Sequence, residues 1–311
     1  MPYILPQWRE TWSRLCAHLC CSRLAAYWQV SQAAEAASRR SNRPRPRRPN
    51  VLAYLHRVAE DLNYQIEVLK SDGTTAPVGP SNSYISVVLA PSGQQVLFSY
   101  YGGSSTGYQI ATMNVDGSGM TTLAPGLYPQ YTPDSSKIVY EQSGLSVMNA
   151  DGSDQTVIAS TYGVEYCFPA TNGSIIAVGM YGTGSQGLAT MSMNGSNPQV
   201  IVPTIYAAFP SFSANGGTII FSNSGGNGQN IYSVSASGGN LTPLTSSLNS
   251  WDPLVVGNKI YFDYIPPTVQ NPTTDSNQIY SMNLDGTNLT AVTKDALYDG
   301  FKTFNGNCGN P

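Results

Sequence analysis

Two stretches of this 311-residue chain match motifs that carry chemistry in other settings. Gly103-Ser104-Ser105-Thr106-Gly107 satisfies G-x-S-x-G, in which a serine on a sharp strand-to-helix turn is activated by a histidine base. The chain has only His18 and His56, and residues 103–107 bridge two alternating apolar segments, so a Gly/Ser hairpin loop is expected there. Gly182-Thr183-Gly184-Ser185-Gln186-Gly187 satisfies G-x-G-x-x-G, but a dinucleotide site needs its third glycine to open a helix that receives the pyrophosphate. A strand-like run, Leu188 to Met193, follows instead. Neither match is chemistry.

Metal sites fare no better. Asn114-Val115-Asp116-Gly117, Asn149-Ala150-Asp151-Gly152 and Asn283-Leu284-Asp285-Gly286 look like the start of a calcium loop, yet no glutamate follows at the closing position. They are expected to be hairpin turns. Cys16, Cys20 and Cys21 beside His18 lack the second ligand pair of a zinc site. With His56 the one histidine after residue 49, a histidine-built centre is excluded, and no metal or cofactor is expected. What stays open is a pair of carboxylates. Glu165, Asp252 and Asp299 each stand near the start of an apolar segment, and whether they meet depends on the elements that carry them.

Composition points to those elements. Charged residues make up 11% of the chain, against roughly 25% in an average soluble domain. Gly, Ser, Thr, Asn and Tyr fill the difference, which favours short strands and tight turns over helices. No apolar run approaches the roughly 18 residues of a membrane-spanning helix. Charge divides the chain at about residue 50: +7 before it, with nine arginines, and −10 after it. Residues 1–49 read as a basic N-terminal segment, disordered or a short helix: a leader, an arm or a mis-assigned start. They make a poor signal peptide, because Arg23 cuts short the apolar run around Leu15–Cys21.

Residues 50–311 repeat. IEVLKSDG (66–73), IATMNVDG (110–117), LSVMNADG (145–152), LATMSMNG (188–195), IYSVSASG (231–238) and IYSMNLDG (279–286) are six copies of one strand and turn. Their last glycines lie 44, 35, 43, 43 and 48 residues apart. A second module alternates with the first, as in YPQYTPDSSKIVY (128–140) and FPSFSANGGTIIF (209–221). Together they make four antiparallel strands in roughly 44 residues, the length of one propeller blade. Val51–Tyr54 looks like a second strand without a first, and Phe301–Asn307 like a first without a second. Joined, they close a ring of six blades and remove an open sheet edge.

The hydrophobic-Tyr-x-Met-Asn-x-Asp-Gly strand followed by aromatic-Ser/Thr-Pro-Asp-Gly resembles the WD-like repeat of TolB-type propellers, over about residues 50–307. Residues 188–195 and 251–262 depart from it by losing the Asp or the Pro-Asp turn. The resemblance implies an all-β, six-bladed propeller working as a protein- or peptide-binding module, periplasmic or extracellular and bacterial. The alternative is a glycan-active or peptidase-associated propeller that takes substrate at its channel mouth. The propeller is acidic, so nucleic acid is not expected as a partner, and a monomer is. On this map the inner-strand starts bear Tyr128, Glu165, Tyr166, Phe209, Trp251, Asp252, Asp299 and Phe301, with Ser86 at the sixth position. These are the candidate channel-mouth residues, either as blade packing or as an aromatic rim for a ligand. The longest loop between second and third strands, Pro266-Pro267 to Asn277, is the candidate for a specific contact.

Overall fold

The structure, a computed structural model, describes residues 50–58, 63–160, 165–181, 186–223, 229–246, 249–267, 269, 276–294 and 298–301, with backbone only at residues 160, 165–167 and 181. These residues form strands in six four-stranded antiparallel sheets. The first sheet holds β1 (Asn50–Arg57), β2 (Tyr64–Lys70) and β3 (Thr75–Asn82). The second holds β4 (Tyr84–Leu89), β5 (Gln95–Tyr101), β6 (Tyr108–Asn114) and β7 (Thr121–Pro125). The third runs from β8 (Leu127–Tyr131) through β9 (Lys137–Glu141) and β10 (Gly144–Asn149) to β11 (Thr156–Ser160). β12 (Glu165–Thr171), β13 (Ile175–Tyr181), β14 (Gly187–Ser192) and β15 (Gln199–Pro203) make the fourth. β16 (Ala207–Phe212), β17 (Thr218–Asn223), β18 (Asn230–Ser235) and β19 (Thr242–Pro243) make the fifth. The sixth is β20 (Ser250–Val256), β21 (Lys259–Tyr264), β22 (Gln278–Asn283) and β23 (Thr290–Ala291). The last strand, β24 (Asp299–Gly300), returns to pair with β1 and completes the first sheet. The molecule is a six-bladed β-propeller with a composite first blade.

The middle strands of each blade are apolar on both faces because each blade is sandwiched between two others. Val139, Leu145 and Val147 of the third blade, for instance, form one buried cluster with Ile176, Val178, Ala189 and Met191 of the fourth. The repeated turn between third and fourth strands joins the same packing. Its glycine takes a left-handed backbone (φ +81° at Gly195, +84° at Gly286) and lies flat on the preceding blade. A Cβ at Gly286 would come within 2.9 Å of the Leu244 carbonyl, so glycine is required for space as well as for φ.

Residues 103–107 form the loop between β5 and β6, closed by Gly107 N–H donating to the Gly103 carbonyl at 2.8 Å. The serines of G-x-S-x-G lie in a hairpin, as expected. Residues 182–185 and the basic segment 1–49 lie outside the described residues. Ring closure occurs as expected, by the returning C-terminal strand pairing with β1. The closing strand begins two residues earlier than expected, with Asp299 opposite His56 and Gly300 opposite Leu55, in the register that continues toward Phe301 and Tyr54. The expected strand residues after Phe301 are not described.

Candidate functional site

The innermost strands line the central channel, and four of them contain a bulge at the same place. Where β8, β12, β16 and β20 pair with their neighbours, the register slips across Leu127/Gln130, Cys167/Ala170, Ala208/Ser211 and Trp251/Leu254. The residue inside each bulge precedes a proline: Tyr128-Pro129, Phe168-Pro169, Phe209-Pro210 and Asp252-Pro253. All four have positive φ: 50°, 55°, 53° and 49°. Bulky residues rarely take this conformation, which costs of order 1–3 kcal/mol each unless the surroundings impose it. Here the proline cannot donate to the sheet, so the bulge forms, and the residue before it turns toward the channel axis.

Three of these residues form a continuous aromatic layer. The Tyr128 and Phe168 rings are centred 4.5 Å apart, and Phe168 and Phe209 are 3.8 Å apart, tilted by 58° and 43°. They come from three successive blades. Asp252 belongs to the blade opposite Tyr128 in the ring, and both are buried. Burial raises the Tyr128 phenol well above the ordinary tyrosine range, and the Asp252 carboxylate facing it adds to the rise, followed by Glu141 and Tyr108. The phenol is therefore held neutral.

A polar cluster closes the ring beside this layer. His56 Nδ1 and Asp299 Oδ1 are 2.8 Å apart, with Asp299 fully buried. Asn277 Nδ2 donates to the Asp299 carbonyl, Asp299 N–H donates back to the Asn277 carbonyl, and Phe301 N–H donates to Asp263 Oδ1. A Cβ at Gly300 would overlap the Tyr298 hydroxyl (2.4 Å) and Asp263 Oδ2 (2.5 Å), so a glycine is what lets these groups reach the strand. Burial raises the Tyr298 phenol, with Asp263 and then Asp252 adding to the shift. Among the described residues, no three His, Cys, Asp or Glu side chains converge as metal ligands.

Alongside the aromatic layer, a cavity of about 730 Å³ opens toward the turns that join first and second strands. All six blades contribute to its wall. Asn50, Gln130, Asn172 and Asn215 bring amides, while Thr171, Ser211 and Ser213 bring hydroxyls. Pro210, Asp252 and Phe301 line it next to the aromatic layer, and Asp252 is the one charged residue in the described lining.

The residues expected at the channel mouth divide accordingly. Tyr128 and Phe209 meet in the aromatic layer, and Asp252 and Phe301 line the cavity. Trp251 is half-buried and pairs through its backbone with Asp263. Asp299 is locked against His56, and Ser86 hydrogen-bonds Ser99 inside its blade at 2.7 Å. The backbones of Glu165 and Tyr166 lie in β12, and their side chains are outside the described residues. Pro267 is exposed and Pro266 half-buried, on the face opposite the cavity opening, because first-to-second and second-to-third turns alternate faces in an antiparallel blade. Asn277, expected as a loop contact, is buried and tied to the closing strand. Phe168, the centre of the aromatic layer, is not among the expected residues, because by its place at the start of the repeat Tyr166 corresponds to Tyr128. Aligning each blade on its X-Pro pair would have found it.

No family model matches the chain, and no curated protein matches its sequence. Solved structures do match. TolB from Acinetobacter baumannii superposes with a TM-score of 0.63 at 14% identity, over 76% of this chain and 62% of that one. A TolB-type protein from Agrobacterium tumefaciens gives 0.60 at 14%, over 74% and 86%. The nidogen/laminin complex gives 0.60 at 13%, over 77% and 91%. At these identities the likeness is one of fold. Repeat pattern, blade topology and these superpositions agree that the chain has the six-bladed β-propeller fold seen in TolB.

Proposed function

We propose that this propeller is a non-catalytic module that binds a protein or peptide segment, taken up at the cavity formed by its inner strands. The observation that supports this most is the character of the cavity wall. It is built from all six blades, its described lining holds no charged residue besides Asp252, and it mixes amides and hydroxyls with aliphatic surface. Such a wall suits an extended peptide, whose backbone offers donors and acceptors at regular intervals. A glycan-active site would want two carboxylates facing one bond. The described lining holds one, and Asp299 is engaged with His56. The nidogen structure, which shares the fold, is of a complex with laminin, and the TolB likeness leads to the same class of role. By that likeness the protein works in the bacterial envelope or outside the cell, as a monomer. Among the described residues no helix is long and apolar enough to cross a membrane.

Site-specific photo-crosslinking tests the reading. A crosslinker at Ala214, an exposed residue of the cavity mouth, should capture a discrete partner in cells. One at Val157, on an outermost strand, should not. Equal capture from both positions, or capture from Val157 and from Pro267 only, would move binding away from the cavity.

A further inference from the structure

We infer that a peptide bound in the cavity is held by its main chain, through backbone groups on the inner edges of the blades. This rests on the reading of the propeller as a peptide-binding module and adds which part of the peptide it recognises. In an antiparallel pair, successive residues point their N–H and C=O alternately toward the partner strand and away from it. Ala90, Thr132, Asn172 and Ser213 donate their N–H groups to the carbonyls of Gln95, Lys137, Ile175 and Thr218 on the second strands. The residue before each, Leu89, Tyr131, Thr171 or Phe212, lies opposite Val96, Ile138, Ile176 or Ile219 and so turns its N–H and C=O toward the channel. Val255 is the fifth of the set. Its N–H donates to the Ser211 hydroxyl of the neighbouring blade at 2.9 Å, which marks the same direction. The first blade's counterpart falls after Phe301, outside the described residues. All five residues line the cavity, and the N–H groups of Leu89, Tyr131, Thr171 and Phe212 meet no acceptor among the described residues.

An N–H turned into a cavity needs an acceptor, from water or from a ligand. These four cannot hold an added β-strand. Strand addition needs donors at every second residue of one edge, and on four edges the residue two places earlier is Pro129, Pro169, Pro210 or Pro253. On the fifth edge, Val87 already gives its N–H to the Phe301 carbonyl at 3.3 Å, and Pro91 stands two places after Leu89. Each edge therefore offers at most one donor, and the donors are spread around the ring. A chain lying along the axis fits that arrangement, because a trans peptide group carries its C=O and N–H on opposite sides. Leu89 and Phe212 belong to blades that face each other across the ring, so one axial chain meets both. Main-chain groups are common to all peptides, so the cavity accepts an inserted segment with little regard to its side chains.

The test follows amide hydrogen exchange by NMR in the full chain, free and at saturation with a degenerate hexapeptide pool whose retention is measured by mass spectrometry. With peptide bound, exchange should slow at least tenfold at two or more of Leu89, Tyr131, Thr171 and Phe212. Acetyl-tetra-alanine amide, which has capped ends and no side-chain chemistry, should slow the same amides. Phe212→Pro removes an N–H that takes no part in the ladder, while Phe212→Ala removes the same ring and keeps that N–H. The proline variant should retain the pool about fivefold less well than the alanine variant, the worth of one hydrogen bond. Should the proline variant fail to fold, exchange in wild type decides alone. If peptide is retained but fewer than two of the four amides slow, the inference falls while the peptide-binding reading stands. The same follows if the two folded variants retain the pool equally, or if acetyl-tetra-alanine amide leaves exchange unchanged. If wild type retains no peptide from the pool, both fall.

Discussion

Phe168 concentrates the main tension of this molecule in one residue. Its ring bridges Tyr128 and Phe209, yet its backbone has a φ of +55°, where a side chain is unwelcome. Packing and backbone thus pull in opposite directions, and substitutions can separate them. Phe168→Ala loses the ring and keeps the unfavourable backbone. Phe168→Gly loses the ring and relieves the backbone, since glycine takes positive φ without penalty. The expected order inverts the usual one: both variants are less stable than wild type, with the alanine variant about 1 kcal/mol below the glycine variant in urea unfolding. If alanine proves the more stable, the left-handed backbone is not under strain and the bulge is held by something other than ring packing.

Among the elements, the repeated hairpin turn is stabilised by the same side-chain device in blade after blade. Asp116, Asp151 and Asp285 each accept a hydroxyl proton at 2.6 Å and a backbone N–H at 2.9–3.0 Å from the residue two positions on. Hydroxyl donation first, and amide donation second, lower the Asp151 and Asp285 carboxyls below their ordinary range. Asp134, in the turn between β8 and β9, is held at about 2 by the Thr132 hydroxyl and by Ser136. A carboxyl lowered by folding contributes stability above its unfolded value and loses it as pH falls toward the folded one. The melting temperature should therefore hold down to roughly pH 4 and decline from there toward pH 2. Asn194 makes the same two contacts without a charge, at 2.7 and 3.1 Å. The triple variant Asp134→Asn, Asp151→Asn, Asp285→Asn should keep the turns and show a shallower acid decline by calorimetry. An unchanged decline would assign acid sensitivity to other groups, with the buried carboxylates of the ring closure first among them.

For the whole molecule, stability depends on the strand that closes the ring, β24. Among the described residues β24 meets β1 at Leu55 and His56, and polar contacts from Asn277, Asp263 and His56 supplement that pairing. Asp299→Ala removes the partner of His56 within a buried junction. It should cost about 2 kcal/mol in denaturant unfolding, the range for a hydrogen bond between charged or chargeable groups. Loosening this strand also exposes a sheet edge, so the variant should associate on warming, as followed by light scattering, before wild type does. An Asp299→Ala protein with wild-type stability and no added association would mean that the six blades hold together through their apolar faces alone.

Blade number, strand count per blade, turn chemistry and the pairing of the two chain ends were legible in the sequence. All of them are written in neighbouring residues: alternation within a strand, Asp-Gly at a turn, a missing strand at each end. Tyr128, Phe209 and Asp252 were legible as inner-strand residues for the same reason. Tertiary structure decided what those residues do. A one-residue bulge before each proline turns the side chains toward the axis, and it put Phe168 rather than Tyr166 between Tyr128 and Phe209. Asn277, polar and at the end of a long loop, looked like contact surface until the returning strand was laid against it. The cavity belongs to no single segment. Its wall is assembled from six strands some forty residues apart, and their side chains become neighbours only when the ring closes.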